Sequence, residues 1–230
     1  MVRDLGKLSI EDIREVFKRI NATRYALNAM EIHNARYEGE FKAFAEHLAQ
    51  HAFFEQHSVF RPGDIRRMQD TLFALQVVTT ILSTYFNRDS EIESYLKQYN
   101  DEFPDVVRVY AEMERVFDFI NEMDLPSNSR AWKKADLFTL LVEVHRVLFK
   151  TKRAAAPHDC AVRLRSFCDL VETAASGNQE GFDERTMQQA RSYHLAASQA
   201  SNDRSSRTTR GDAIKFVLEQ AGSSPLLPGS

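Results

Sequence analysis

The sequence predicts an all-α protein, an irregular bundle of about eight to ten helices, and three observations lead to this prediction. Apolar residues recur at three- and four-residue spacing along most of the chain. Alternating apolar and polar residues occur only in the short stretch 5–9, and no repeat of 20 to 50 residues is visible. Sixteen Phe and seven Tyr, mostly on the helical stripes, supply ample core for 230 residues.

The periodicity places helices in order along the chain. The predicted spans are about 9–20, 28–37, 41–53, 65–86, a short helix restarting at Ser90, then 102–123, 130–149, 158–175, 183–199 and 208–220. The span 102–123 keeps its apolar stripe over six turns and is the clearest of them. We expect residues 1–150 to form a helical core, residues 151–221 to pack on the same core, and residues 222–230 to be a disordered tail.

Local signals fix several of these boundaries. Asn28 followed by Glu31 is a capping box, in which each side chain bonds the other residue's backbone N–H at a helix start. Gly39 marks a break before the third helix, and Pro62-Gly63 is a turn signal before the fourth. Leu125-Pro126 ends the helix that precedes the basic half of the chain.

Composition excludes several classes of protein. The longest uncharged stretch, 71–86, is interrupted by Gln, Thr and Ser and falls short of the roughly 20 apolar residues that cross a bilayer. The N-terminus lacks the basic and apolar regions of a secretory signal, so we expect a cytoplasmic protein. Cys160 and Cys168 are expected to be buried thiols, because one pair makes neither a disulfide framework nor a four-ligand zinc site.

The net charge of the chain is −3, and the charged residues are distributed unevenly along it. Residues 1–125 carry 15 Lys and Arg against 22 Asp and Glu, whereas residues 126–230 carry 15 against 11. Basic residues that converge on one face can contact nucleic-acid phosphates, although scattered Lys and Arg usually lie on solvated helix faces. The candidates for DNA contact are Lys133, Lys134, Lys150, Lys152, Arg153, Arg204, Arg207 and Arg210.

Histidine spacing raises one enzymatic alternative. His47 and His51 are four residues apart on one predicted helix face, which would let two imidazoles share a metal. Glu46 lies outside the pair, so no general base stands between the ligands as it does in His-Glu-x-x-His metalloproteases. A metal- or His-dependent nuclease remains the enzymatic alternative. The main expectation is that the chain has no metal site and no catalytic residue.

Two segments near the N-terminus carry a family resemblance. The first reads Val16-Phe17-Lys18-Arg19-Ile20-Asn21, and the second runs from Leu27 through Glu31 to Asn34-Ala35. They are similar to the Phe-x-Arg-Ile-Asn and Leu-x-x-x-Glu-x-x-Asn-Ala signature of the GmrSD-type restriction endonuclease N-terminal family, a ParB/sulfiredoxin-like group. Further on, Arg67-Met68-Gln69-Asp70, and Tyr193 with the three later arginines, resemble the family's later helices.

The resemblance implies a role in restriction of phage DNA. Arg19, Asn21, Glu31 and Asn34 carry over as family-motif residues, whereas Met30 and His33 depart from the family's common Gln and Arg. The family's ParB-like half with Asp-Gly-Gln-Gln-Arg, to which nucleotide hydrolysis is attributed, and its HNH nuclease domain have no counterpart here. The chain resembles the helical half alone, and a ParB-like half encoded elsewhere would be its partner.

These features together predict a helical DNA-interacting or regulatory module of a phage-defence system. No cofactor is expected, and neither nucleotide hydrolysis nor DNA cleavage is expected of this chain alone. Arg19 could face a phosphate or carboxylate, with Glu31 as its partner, or the two could merely hold the turn between their helices. A stand-alone helical scaffold, which meets a basic partner through the acidic half of the chain, is the other alternative.

Overall fold

The computed structural model describes residues 28–151, 156–177, 182 and 184–219, and throughout these the prediction of an all-α bundle is confirmed. The described helices are α1 (Ala29–Arg36), α2 (Glu40–Ala49), α3 (Ala52–Gln56), α4 (Pro62–Arg66), α5 (Gln69–Leu82), α6 (Ile92–Gln98), α7 (Val106–Glu122), α8 (Lys134–His145), α9 (Pro157–Ala175), α10 (Glu184–Ser198) and α11 (Arg204–Glu219). A 3₁₀ turn, Arg130–Trp132, precedes α8, and a π-helical turn, Arg146–Lys150, follows it. The helix predicted over 9–20 and the tail 222–230 lie outside the described residues.

Helix α8 is the centre of the molecule. Every residue from Asp136 to His145 is buried, which is the pattern of a helix surrounded by others rather than one facing solvent. Helices α5, α7 and α11 contact it, and α2 packs against α5. The C-terminal helices α9, α10 and α11 pack on one another, and their apolar residues join the same core as those of α2 to α8.

The capping box predicted at the second helix is confirmed. The Asn28 side chain accepts from the Glu31 backbone N–H at 2.8 Å, and Glu31 Oε2 accepts from the Asn28 N–H at 2.7 Å. Two of the amide groups that a helix start leaves unbonded are thereby satisfied. Helix α1 begins where the sequence predicted it.

Three predicted helices are interrupted in the structure. The span 41–53 breaks into α2 and α3, because His51 is extended and its Nδ1 accepts from the Phe53 N–H as a new cap. The span 65–86 breaks at Met68, whose φ of 53° is left-handed, and α5 then ends at Leu82. The span 130–149 consists of the 3₁₀ turn, α8 and the π turn.

Two further expectations concern the membrane and the cysteines. Among the described helices, none combines the length and the apolar character that crossing a bilayer requires. Cys160 and Cys168 lie in α9, both thiols are buried, and they are not joined to each other. Burial raises the pKa of the Cys168 thiol to about 12, which makes it a poor nucleophile.

Candidate functional site: a polar cleft between α5, α8 and α11

The basic residues proposed for DNA contact do not share one face. Lys133 Nζ pairs with Glu172 at 3.0 Å, and Lys134 Nζ pairs with Asp64 at 2.7 Å. Those carboxylates partly neutralise the two ammonium groups, so neither lysine is a free cation. Lys152 and Arg153 lie outside the described residues.

Arg207 and Arg210 are core residues, which corrects the expectation that they belong to a surface patch. Both are essentially inaccessible, with exposures of 0% and 1%. Arg207 lies between the rings of Phe86 and Phe138, 4.6 and 4.9 Å from the centroids, and Nη1 donates to the Phe86 carbonyl. Burial lowers the pKa of Arg207 to about 10.

Arg210 is held by hydrogen bonds on three sides. Its Nε donates to Thr139 Oγ1 at 3.0 Å, and Nη1 donates to the carbonyls of Ala196 and Ser201. These contacts fix α11 against α8 and against the end of α10. Replacing Arg207 and Arg210 would therefore damage the fold and would not measure DNA contact.

The two remaining candidates, Lys150 and Arg204, come together at a polar cleft of about 640 Å³. They are joined there by Lys215, and all three cations are exposed. None of the three forms an ion pair with another described residue. The cleft is also lined by Ile81, Ser83, Thr84, Tyr85, Glu143, Arg146, Val147, Thr151, Thr208, Asp212 and Glu219.

The floor of the cleft is a network of three side chains, in which Tyr85 and Glu143 are buried and Arg146 is partly exposed. Tyr85 Oη donates to Glu143 Oε1 at 2.6 Å, and Arg146 Nη1 donates to the same oxygen at 2.5 Å. The Arg146 guanidinium also lies over the Tyr85 ring, 4.4 Å from its centroid. Glu143 is 1% exposed, and its Oε2 has no hydrogen-bond partner among the described residues.

Gly211 of α11 makes this network possible. A Cβ at that position would lie 2.5 Å from Tyr85 Cε2 and 2.6 Å from Tyr85 Oη. The Tyr85 ring therefore rests directly on the α11 backbone, which brings its hydroxyl to Glu143. A glycine inside a helix lowers helix stability by about 1 kcal/mol relative to alanine. Here the absence of a side chain leaves the space that the Tyr85 ring occupies.

Burial dominates the electrostatics of the cleft floor. Burial raises the pKa of Glu143 above its ordinary value, although Arg146 and Tyr85 oppose the shift. Burial, together with the Glu143 charge, raises the pKa of Tyr85, so the phenol keeps its proton and donates. A perturbed carboxyl in a cleft is a common sign of a functional site.

The turn that follows α8 brings two of the cations to the cleft. Arg146 and Lys150 are the first and last residues of the π turn, and both line the cleft. Single π turns are rare and occur frequently at functional sites, because they re-aim side chains that a regular helix would direct elsewhere.

Sequence reasoning missed Tyr85, Glu143 and Gly211. One signal was present, since Glu143 is a lone charge within the apolar run Leu137–Val144. A charge at such a position is buried and must be paired or hydrogen-bonded. Its tyrosine partner, 58 residues away in sequence, could not be read from the chain.

The family-motif residues lie apart from the cleft where they are described. Glu31 caps α1 and pairs with Arg67 Nη2 at 3.2 Å, and both contacts lower the pKa of the Glu31 carboxyl. Asn34 is exposed on α1. Arg19 and Asn21 lie outside the described residues, so the proposed contact of Arg19 with Glu31 stays a prediction.

The two histidines do not form the metal pair that their spacing suggested. His51 Nδ1 caps α3 and its Nε2 lies 2.8 Å from Glu114 Oε1, while His47 stacks on Tyr110. The helix break between them is the reason, because the spacing of four residues brings side chains together only on a continuous helix. Within the described part of the chain, no group of three His, Cys, Asp or Glu could hold a metal ion.

A second groove, of about 610 Å³, lies between α9, α10 and α11. Its walls are mainly apolar, and Phe216 is half-exposed there. Because three exposed cations and an unpartnered oxygen of a buried carboxylate meet at the polar cleft, we take that cleft as the candidate site for a charged ligand.

Comparison with known proteins adds no relative. No family model, no curated protein and no solved structure matches the chain. The fold and the cleft together describe a helical protein with a cleft of mixed charge.

Proposed function

We propose that this chain is a cytoplasmic DNA-interacting module that binds phosphates through the rim of the polar cleft. The observation that carries the proposal is the meeting of Lys150, Arg204 and Lys215 around one cleft, exposed and without an ion pair among the described residues. Free lysines and arginines that converge on one surface are what neutralise phosphates and release counterions.

The proposal concerns a local surface, because the chain as a whole is acidic. Asp212 and Glu219 line the same cleft as the three cations, and they weaken its attraction for an anion. We therefore expect modest affinity and a log–log salt slope on duplex DNA no steeper than about −2.7, or about 0.9 for each of the three cations.

The resemblance to the GmrSD-type family supports a place for this activity in a restriction or phage-defence system. That support consists of the Phe-x-Arg-Ile-Asn and Glu-x-x-Asn-Ala segments and nothing in the cleft. The module would then hold DNA, while nucleotide hydrolysis and cleavage would belong to a partner such as the ParB-like half.

The test is the salt dependence of DNA binding by matched variants. Fluorescence anisotropy of labelled single-stranded and duplex DNA is measured for the wild type and for the Lys150→Ala, Arg204→Ala, Lys215→Ala triple variant. We expect the triple variant to bind less tightly, with a log–log salt slope on duplex DNA lower by about 0.9 for each phosphate that is no longer neutralised.

The control is the Lys133→Ala, Lys134→Ala double variant, which removes two cations that already pair with Glu172 and Asp64. It should bind DNA as the wild type does. Equal binding and equal slopes for the wild type and the triple variant would refute the cleft as the DNA contact.

A further inference from the structure

We propose that the polar cleft holds one unpaired nucleotide, with the base at the Glu143 floor and the phosphate at the cationic rim. The inference rests on the proposed function, and it names the form of DNA that the cleft takes. Its evidence comes from the floor, where one Glu143 oxygen has no partner among the described residues and the Arg146 guanidinium lies over Tyr85.

The floor requires a hydrogen-bond donor. Glu143 Oε2 is buried and has no partner among the described residues, and an unsatisfied buried acceptor is costly. A phosphate cannot satisfy it, because two anions in a poorly solvated place repel each other. A ligand that fits must bring an N–H to the floor and an anion to the rim.

Nucleotides have both groups at opposite ends. Every base offers at least one N–H on its Watson–Crick edge, and the phosphate is separated from that edge by the sugar and the ring. In duplex DNA the Watson–Crick edge is paired with the opposite strand and stacked inside the helix, so a buried carboxylate such as Glu143 can reach that edge only in an unpaired or extruded nucleotide.

Arg146 supplies a surface on which the base can stack. One face of its guanidinium covers the Tyr85 ring at 4.4 Å, and Arg146 also lines the cleft. The opposite face is therefore the one that a ligand can meet, and arginine planes are common stacking partners of unpaired bases. Tyr85 and Glu143 hold this guanidinium in place from below.

The volume agrees with this occupant. Sites for small molecules span about 300 to 1,000 Å³, and the cleft measures about 640 Å³. Ser83, Thr84 and Thr208 also line its walls. The Ser83 and Thr208 hydroxyls donate to the Thr79 and Arg204 carbonyls, so their oxygens can accept from a sugar hydroxyl, whereas the Thr84 hydroxyl can donate to a phosphate oxygen.

Binding of mononucleotides to the full chain tests the inference without any variant. Calorimetric titration compares thymidine 5′-monophosphate, its N3-methyl derivative and deoxyribose 5-phosphate. N3-methylation removes the only N–H of thymine, and the sugar phosphate has no base. We expect the N3-methyl derivative to bind about tenfold more weakly than the nucleotide, which is the loss of one hydrogen bond to a charged acceptor. The sugar phosphate should bind more weakly still, because it also loses the stacking on Arg146.

Glu143→Gln identifies the acceptor, and Glu219→Gln, which neutralises a rim carboxylate of the same cleft, is the matched control. In Glu143→Gln, checked for unchanged thermal unfolding, the preference for the nucleotide over its N3-methyl derivative should disappear, and in Glu219→Gln it should persist. If Glu143→Gln does not fold, the three-ligand comparison in the wild type decides.

The outcomes separate this inference from the proposed function. Equal affinity of the wild type for all three ligands, or no binding of any, overturns the nucleotide site, even if DNA binding still depends on Lys150, Arg204 and Lys215. Binding of the nucleotide with its N–H preference, but with no effect of the rim variants on DNA, supports the site and refutes the proposed DNA module.

Discussion

Gly39→Ala should destabilise the protein strongly, because α2 begins against the backbone of the α6 end. A Cβ on Gly39 would lie 2.0 Å from the Asn100 carbonyl oxygen, whereas ordinary contact begins at 3.4 Å. The two segments would have to separate by about 1.4 Å, and a close-packed interior resists such a shift. That separation would break two hydrogen bonds, from Glu40 N–H to Asn100 O and from Phe41 N–H to Tyr99 O.

The magnitude follows from these contacts. Overpacking costs about 1–3 kcal/mol, and each broken hydrogen bond adds about 1 kcal/mol. The smaller entropy of an unfolded chain with alanine returns about 0.4–1 kcal/mol. We therefore expect the free energy of unfolding to fall by about 3 kcal/mol.

Urea denaturation followed by helical circular dichroism measures this change. Gly63→Ala is the matched control, because a Cβ at Gly63 meets no atom within 4 Å. That variant should be as stable as the wild type or slightly more stable. Equal midpoints for the two variants would refute the close approach at Gly39.

Three other variants test the core and the cleft. Gly211→Ala should lower stability by about 1–2 kcal/mol, measured by urea denaturation, because its overlap with Tyr85 outweighs the gain in helix propensity; a more stable variant would contradict the packing. Arg130→Met leaves the buried Asp136 carboxylate without its ion pair and should cost about 3 kcal/mol or more in the same assay; a cost below about 1 kcal/mol would show that the pair is dispensable. Burial lowers the pKa of His145 below 6.5. The folded state therefore takes up the proton less readily than the unfolded chain. The contribution of His145 to the free energy of unfolding is complete above pH 6.5, and it is lost as the pH falls through the lowered pKa. His145→Gln should flatten this part of the stability profile, and an unchanged profile would assign the slope to other groups.

Local features of the fold could be read from the sequence because they depend on neighbours in the chain. The capping box of Asn28 and Glu31 forms as its residue types require, and α9 begins one residue before its predicted start at 158. Apolar stripes placed most helices within a few residues of their observed bounds. Breaks at His51 and Met68 were missed, since the stripe of buried residues continues across both of them.

Whether a charged residue lies in the core or on the surface was decided by tertiary structure. Arg207 and Arg210 share a stripe with Ile214 and Val217, which is a signal of burial, yet their charge suggested an exposed patch. Phe86, from the segment after α5, and Phe138 of α8 cover one guanidinium, and carbonyls at the end of α10 accept from the other. The contacts that offset the cost of burying these two charges come from residues far away in sequence, so the chain alone could not show them.

The sequence by itself determined that this protein is a helical bundle, because helical periodicity and caps are properties of short segments. It also determined which residue types were available for binding. Only the tertiary structure decided where they meet, since the cleft is built from three stretches of chain, 81–85, 143–151 and 204–219. Its buried carboxylate, its stacked guanidinium and its free cations become one site because α8 and α11 pack together, with Tyr85 resting on the α11 backbone at Gly211.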